Sequence, residues 1–294
     1  MISRLPGIVE YRGLPLVLGH NIHVVEGYVL PHSIVTMSRG DATRLREWMD
    51  YHSLLGFDDF HIILDNPNDE SEQLLRSWGG PAKITVDIRP AHDAYYDGLT
   101  PAERYKEVLA WRERNAESLK DWDAPIIDSL SLRQALYFPA VLNKYALRKV
   151  GWLALIDVDE FIVLPSGQKI SDLTEDASAP RIHFLNFNFD TTGHDPARPV
   201  LEQHRMRWSR EDLVAHGKGW ANRVKTIAQY DSLLPFKSVH AISAGYGEIL
   251  SPEVGRLHHY KAAVHVLKDV PYSVDDASAA ELLRVTSAHG TDDV

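Results

Sequence analysis

The stretch Trp152-Leu153-Ala154-Leu155-Ile156-Asp157-Val158-Asp159-Glu160-Phe161 decides how this chain is read. Its first five residues form the most apolar strand in the sequence and run straight into three acids. Phe161-Ile162-Val163-Leu164 then resumes the apolar run. A buried strand delivers the residues after it to the carboxyl edge of its sheet, where open α/β folds bind ligands. Residues two apart on an extended chain point the same way, so Asp157 and Asp159 can face one cation. Their hard oxygens suit magnesium or manganese, which can bridge a diphosphate and neutralise charge as it leaves. The bland alternative is a solvated acidic turn. Three acids set between apolar runs are costly unless paired or metal-bound, and this favours the functional reading.

Upstream of that strand, strand and helix signals alternate. Ser33 to Met37 is a short apolar run that reads as a buried strand. Between Asp41 and Leu55, the residues Leu45, Trp48, Met49, His52 and Leu55 share a helical face, and Gly56 is a helix stop. Phe60 to Leu64 reads as a second strand, closed by the turn-rich Asp65-Asn66-Pro67-Asn68-Asp69. Glu70 to Trp78 suits a helix, Gly79-Gly80-Pro81 breaks it, and Lys83 to Ile88 reads as a third strand. This order predicts right-handed crossovers and an α/β fold with a mostly parallel sheet flanked by helices. Pro90 to Pro125 is polar and aromatic and reads as a helical insertion. A helix from Ser131 to Lys149, bent at Pro139, leads into the central strand.

Beyond Pro180 the pattern changes to short strands and long loops, as in Arg181 to Phe189. Residues 1–32 form an irregular lead-in rich in Gly and Pro. From Val270 the tail carries Asp275, Asp276, Asp292 and Asp293 with few large apolar residues, so it is expected to be poorly ordered or loosely docked.

Composition bounds these readings. The chain has 294 residues, a net charge of −10, 44% hydrophobic and 24% charged residues, the balance of an ordinary globular protein. That length suits one large α/β domain or two small ones. The acidic balance argues against a general nucleic-acid binder. No apolar run approaches the roughly 20 residues of a membrane helix. Arg4, Glu10, Arg12 and Glu26 interrupt the start, against a secretory signal. A cytoplasmic enzyme without a transmembrane segment, able to work at a membrane periphery, is the expectation. There is no cysteine, which excludes thiolate metal sites and cysteine nucleophiles; any metal would sit on carboxylates and some of the fifteen His.

Set beside known families, "WLALIDVDEF" resembles the D-x-D-E-F signature of glycosyltransferase family 2-like proteins close to glycosyltransferase family 92. The likeness extends along the chain. "LREWMDYHSLLGFDDFHIILDN" (Leu45 to Asn66) resembles the family's E-W-x-x-Y-H-x-x-x-G stretch and the strand after it. Gln134, followed by Asn143, resembles its Q-led helix. Phe189-Asp190-Thr191-Thr192-Gly193-His194 resembles an F-G-S-S-G-H loop. Lys225-Thr226-Ile227, His240 and His259-Tyr260-Lys261 follow as landmarks in the right order. The resemblance covers Ser33 to Ala262. It departs at Arg39-Gly40-Asp41, where the family has a Lys-Asn-Glu-like triplet, and at Asp190, where Gly is common.

The resemblance implies a GT-A fold over residues 33–262, with a nucleotide-binding half (33–161) and a smaller mixed or antiparallel acceptor half (162–262), followed by a tail (263–294). It implies an inverting transferase that moves a sugar from a nucleotide-diphosphate sugar, by default a UDP-hexose, to a glycan, glycolipid or small-molecule hydroxyl. By the same resemblance, Asp159 is the direct ligand of Mn2+ (or Mg2+), Asp157 contacts the ribose or the metal through water, and His259 is a further ligand. A pair of buried core histidines is the alternative for His258 and His259. Arg39, Asp65, Asn66 and Gln134 would lie along the nucleotide, and Lys225 and His240 could contact the diphosphate. Their bland readings are, in turn, a surface charge, turn formation, a plain helix start and a solvated strand edge. An inverting reaction needs a general base. Asp195 and His194 are favoured, with Asp190 and Glu248 as further candidates. Trp208 and Trp220 are either core or sugar-stacking platforms.

Two other functions compete. A haloacid-dehalogenase-type phosphohydrolase also carries D-x-D after an apolar strand, but has Thr or Val where this chain has Glu160 and Phe161. A non-catalytic nucleotide-sugar or glycan-binding relative is the third. Retention of Asp157, Asp159 and His259 argues against it.

Overall fold

A computed structural model describes residues 8–11, 14–17, 30–122, 125–261 and 269–289. The chain separates into two compact units, residues 1–30 and 31–294. In the first, β1 (Ile8–Tyr11) and β2 (Leu14–Val17) pair antiparallel. The rest of the expected lead-in up to residue 29 lies outside the described residues, as do residues 262–268 and the Asp292-Asp293 end of the tail.

The second unit opens with the expected alternation: β3 (His32–Ser38), α1 (Ala42–Leu55), β4 (Asp59–Asp65), α2 (Ser71–Ser77) and β5 (Lys83–Arg89). The insertion supplies α3 (Pro101–Asn115), and α4 (Ser129–Ala146) precedes β6 (Trp152–Leu155). Then come β7 (Glu160–Val163), α5 (Ile170–Glu175), β8 (Arg181–Asn188), α6 (Val200–Gln203), β9 (Met206–Arg207) and α7 (Arg210–Ala215). The chain closes with β10 (Val224–Gln229), β11 (Glu248–Ile249), β12 (Arg256–His259), β13 (Val274–Asp275) and α8 (Ser278–His289).

The main sheet runs β5-β4-β3-β6-β10-β8-β12-β7, with β11 also on β8. Strands β5, β4, β3 and β6 are parallel throughout. Strand β10 is antiparallel to both β6 and β8, which begins the mixed half. A separate antiparallel pair joins β13 to β9. All residues of β3 and β4 are buried, which explains why both read as near-continuous apolar runs rather than alternating ones.

Helix α1 lies against this sheet through Leu45, Trp48, Met49 and Leu55, and burying each such side chain contributes about 1.5–3 kcal/mol. It stops at Gly56, whose φ of 104° is a left-handed conformation that glycine adopts without a Cβ penalty. Two polar tips on the same helix fix β7: Trp48 Nε1 donates to the Glu160 carbonyl (2.9 Å) and the Tyr51 hydroxyl to the Ile162 carbonyl (2.8 Å). Helix α4 packs its Phe138, Val141, Leu142 and Tyr145 against β3, β6 and β10, and continues through Pro139. Its start is fixed by a capping box in which Asp128 accepts from the Ser131 amide.

The described part of the tail, residues 269–289, is docked, contrary to expectation. Asp276 is buried and ion-paired to Arg207 Nε (2.7 Å) and Arg256 Nη2 (3.0 Å), and α8 packs on α1. Acidic composition signalled disorder, but one of those acids is the partner of two arginines far away in sequence.

Candidate active site

The parallel strands β3, β4 and β6 all end at one sheet edge. Beyond them lies a cleft of about 290 Å³. Arg39 and Asp41 come from the end of β3, Asp65 from β4, and Asp157, Val158 and Asp159 from the turn after β6. Arg133 and Gln134 enter from α4, Tyr95, Tyr96 and Asp97 from the segment after β5, and Lys261 from just beyond β12. Of the residues singled out in the sequence, the cleft thus gathers Arg39, Asp65, Gln134, Asp157 and Asp159.

The acidic turn is built around a buried lysine. Lys225 Nζ donates to Asp157 Oδ2 (2.9 Å) and lies 2.9 Å from Glu160 Oε2. The Lys225 side chain is 0% exposed and Glu160 1%, whereas Asp157 keeps 35% and faces the cleft. Glu160 Oε2 also accepts the Asp157 amide (2.8 Å), and the Glu160 amide donates back to the Asp157 carbonyl (3.0 Å). Burial pushes the Glu160 carboxyl up. Burial works the same way on Asp157, but Lys225 and Lys261 together hold its carboxyl below the usual range.

Asp159 has a different partner. Its Oδ1 is 3.3 Å from His259 Nε2. Burial opposes the ionised form of Asp159, yet His259, Lys261 and Arg44 together hold its carboxyl well below the usual range. Strand β12 separates the His pair by alternation. His258 turns to the far side, its Nε2 3.3 Å from Asp276 Oδ2 and accepting from Arg256 Nε (3.0 Å). His259 turns to Asp159, and its buried Nε2 makes no hydrogen bond. An orphaned imidazole nitrogen beside an ionised carboxylate is a donor set that suits a divalent cation. Among the described residues, however, no three His, Asp or Glu side chains converge as a metal cluster. Of the expected set, Asp157 is bonded to Lys225, while Asp159 faces His259.

At the other end of the cleft, both Asp65 oxygens are engaged: Oδ2 by Arg133 Nε (2.6 Å) and Oδ1 by the Tyr95 hydroxyl (3.0 Å). The guanidinium carbons of Arg39 and Arg133 each lie 4.1 Å from the Tyr95 ring centroid. Arg39 donates twice to Asp97 Oδ2 (2.9 and 2.6 Å) and also to the Asn66 carbonyl. Asn66 itself has a φ of 48° and forms the turn after β4, its bland reading. Asp41 is raised to about 6, first by burial and then by the nearby Asp159, against hydrogen bonds from Ser38 and the Arg39 amide.

The remaining sequence candidates do not line this cleft. Lys225 is sealed inside with Asp157 and Glu160, and is no solvated strand edge. His240 contacts the Arg223 side chain, and its pKa falls to about 3 through burial and the neighbouring cations Lys225 and Arg223. Asp190 Oδ1 accepts the Thr192 amide (3.0 Å), and the exposed Asp195 accepts the Ala197 amide (2.9 Å), both closing turns. His194 Nδ1 lies 3.1 Å from His204 Nε2, and its pKa is lowered by burial and by Arg44. Glu248, on the short strand β11, is exposed and accepts from Ser178. Trp208 is 1% exposed and belongs to the core, while half-buried Trp220 packs on the same cluster and stacks on Arg223.

Sequence reading missed Arg133, Tyr95, Asp97 and the Lys225–Glu160 pair. The adjacent aromatics Tyr95-Tyr96 in a polar segment were the one available signal.

An α/β sheet in the order just described, with an acidic turn at its carboxyl edge, is of the GT-A type. The chain belongs to glycosyltransferase family 92, whose model matches residues 35–282. A comparison with curated proteins found no match. Among solved structures, glucosyl-3-phosphoglycerate synthase from Mycobacterium tuberculosis with Mn2+, UDP and glucosyl-3-phosphoglycerate is similar at 12% identity, covering 88% of this chain and 79% of that one (TM-score 0.37). The same enzyme with Mn2+, UDP-glucose and phosphoglyceric acid is similar at 13% identity, covering 90% and 81% (TM-score 0.36). Core-mannan synthase A from Aspergillus fumigatus, in its Mn/GDP form, is similar at 12% identity, covering 79% and 75% (TM-score 0.33). The assignment rests on the family match and the strand order, not on these distant likenesses. Among the described residues no helix is long and apolar enough to cross a membrane.

Proposed function

We propose that the cleft binds a nucleotide-diphosphate sugar, by default a UDP-hexose, with a divalent cation, Mn2+ or Mg2+, and transfers the sugar with inversion to an acceptor hydroxyl. The observation that carries this reading is the Asp159–His259 pair: an ionised carboxylate 3.3 Å from a buried imidazole nitrogen that makes no hydrogen bond, at the edge where β3, β4 and β6 end. Asp159 and His259 would hold the cation. Asp157, already bonded to Lys225, suits a ribose or water-mediated contact. A divalent ion there supplies positive charge to a leaving diphosphate. Arg39, Asp65 and Gln134 border the nucleotide end, where Asp65 acts by fixing Arg133 and Tyr95. Residues 33–161 supply this donor half, and residues 162–262 would receive the acceptor.

The general base belongs to the acceptor half. His194 suits it better than Asp190 or Asp195, because both carboxylates already close turns and the lowered His194 pKa keeps its imidazole neutral near pH 7. A positioned base contributes roughly 10²–10⁴-fold. Titration calorimetry with UDP and GDP, with and without Mn2+, tests the donor reading. Nucleotide affinity that rises with Mn2+ supports it, and no binding of either nucleotide at any Mn2+ concentration rejects it.

A further inference from the structure

The two lysines near the acidic turn differ in one decisive respect. Lys225 is fully buried and its Nζ already serves Asp157 and Glu160, so it presents no exposed ammonium to the cleft. Lys261 lines the cleft and is half-buried, and among the described residues it makes no ion pair. It lies two residues beyond His259, just past the end of β12. Its charge is felt at both Asp157 and Asp159. Arg39, Gln134, Asp159 and this ammonium line one cleft.

Resting on the donor reading above, we propose that Lys261 is the cation that meets the donor's phosphates, and that Lys225 is a permanent internal counter-ion for Asp157 and Glu160. The division follows from what each lysine can do. A mobile, strongly hydrated ammonium on a flexible stem suits a ligand that arrives charged and leaves more charged. A sealed ammonium with two carboxylate partners suits a fixed scaffold, whose removal strands buried charge. Lys261 therefore governs discrimination between phosphorylated and unphosphorylated nucleoside, while Lys225 governs stability.

The test compares wild type, Lys261→Met, Lys261→Arg and Lys225→Met by calorimetry, in EDTA and in Mn2+. The probes are whichever of UDP and GDP the wild type binds, and the matching nucleoside. Lys261→Met should bind the diphosphate roughly tenfold more weakly, the scale of one lost charge-assisted contact, with nucleoside affinity and melting temperature unchanged. Lys261→Arg should keep most of the affinity. Lys225→Met should lower the melting temperature. Unchanged diphosphate affinity in Lys261→Met overturns the proposal while leaving the donor reading intact. So does a Lys225→Met protein that melts like wild type yet loses the phosphate preference. A wild type that binds neither diphosphate removes both readings together.

Discussion

Lys225 and Glu160 form an ion pair inside the protein, Nζ to Oε2 at 2.9 Å, with side chains 0% and 1% exposed. Glu160 in turn accepts the Asp157 amide, so the pair fixes the backbone of the acidic turn as well as its charge. Removing one member of a buried pair leaves the other uncompensated. Lys225→Met should therefore cost roughly 3–5 kcal/mol of folding free energy. Urea denaturation measures this, and a loss below about 1 kcal/mol, the worth of an exposed pair, would contradict the buried-pair account.

Asp159→Asn keeps the shape of the side chain and removes its charge. The Asp159 carboxyl is held well below the usual range by His259, Lys261 and Arg44, so the variant should also melt at a lower temperature than wild type. Metal-dependent nucleotide binding and sugar transfer should both be lost. A variant that transfers sugar at near wild-type rate in Mn2+ would remove Asp159 from the metal site.

The two adjacent histidines should separate cleanly. His259→Ala should weaken nucleotide binding in Mn2+ and leave binding in EDTA unchanged. His258→Ala should do the reverse of this at the level of stability, because it breaks the contact with buried Asp276. Thermal melts and calorimetry on both variants read the difference. Equal Mn2+ dependence in His259→Ala and wild type would return His259 to the core.

His52 predicts acid sensitivity. It is fully buried between α1 and β7, stacked on Phe161 at 5.7 Å with 20° between rings. Burial lowers its pKa to about 3, against the hydrogen bond to the Trp48 carbonyl. Unfolded His takes up its proton near pH 6.5, so between about pH 6.5 and 3 the unfolded state binds more protons than the folded one. Stability should thus be full above pH 6.5 and fall as the pH drops toward 3, by roughly 1.4 kcal/mol per pH unit for this group. His52→Phe should shallow that slope, as followed by denaturant melts across the range. An unaltered slope would assign the acid sensitivity elsewhere.

Asp276 anchors the tail to β9 and β12. Asp276→Ala should cost roughly 3 kcal/mol, the low end for a broken buried pair, since Arg207 and Arg256 keep 15% and 18% exposure. Limited proteolysis should then cut near Val274 faster than in wild type. An unchanged cleavage rate would mean that packing of α8 alone holds the tail.

The parallel part of the sheet was legible because its signals are local. Fully apolar β3 and β4, the face of α1 and the stop at Gly56 depend on residues a few positions apart. The same holds for the placement of Asp157 and Asp159, which follows from a strand ending. What was not legible depends on distant pairings. Nothing near Lys225 in sequence indicates that Asp157 and Glu160, more than sixty residues earlier, will bury it. Arg133 looks like one more helix charge until Asp65 closes on it, and Asp276 looks like tail polarity until two arginines surround it. In each case a charge that would be surface by default becomes core because its partner folds back from elsewhere in the chain.

If Asp159 and His259 hold a divalent cation beneath a nucleoside diphosphate, crystals soaked with Mn2+ and UDP and measured for anomalous scattering at the manganese edge should show a manganese peak in contact with the Asp159 carboxylate and His259 Nε2, touching the diphosphate. A diphosphate bound in the cleft with manganese absent from both side chains, or manganese bound only elsewhere, would rule out that metal site.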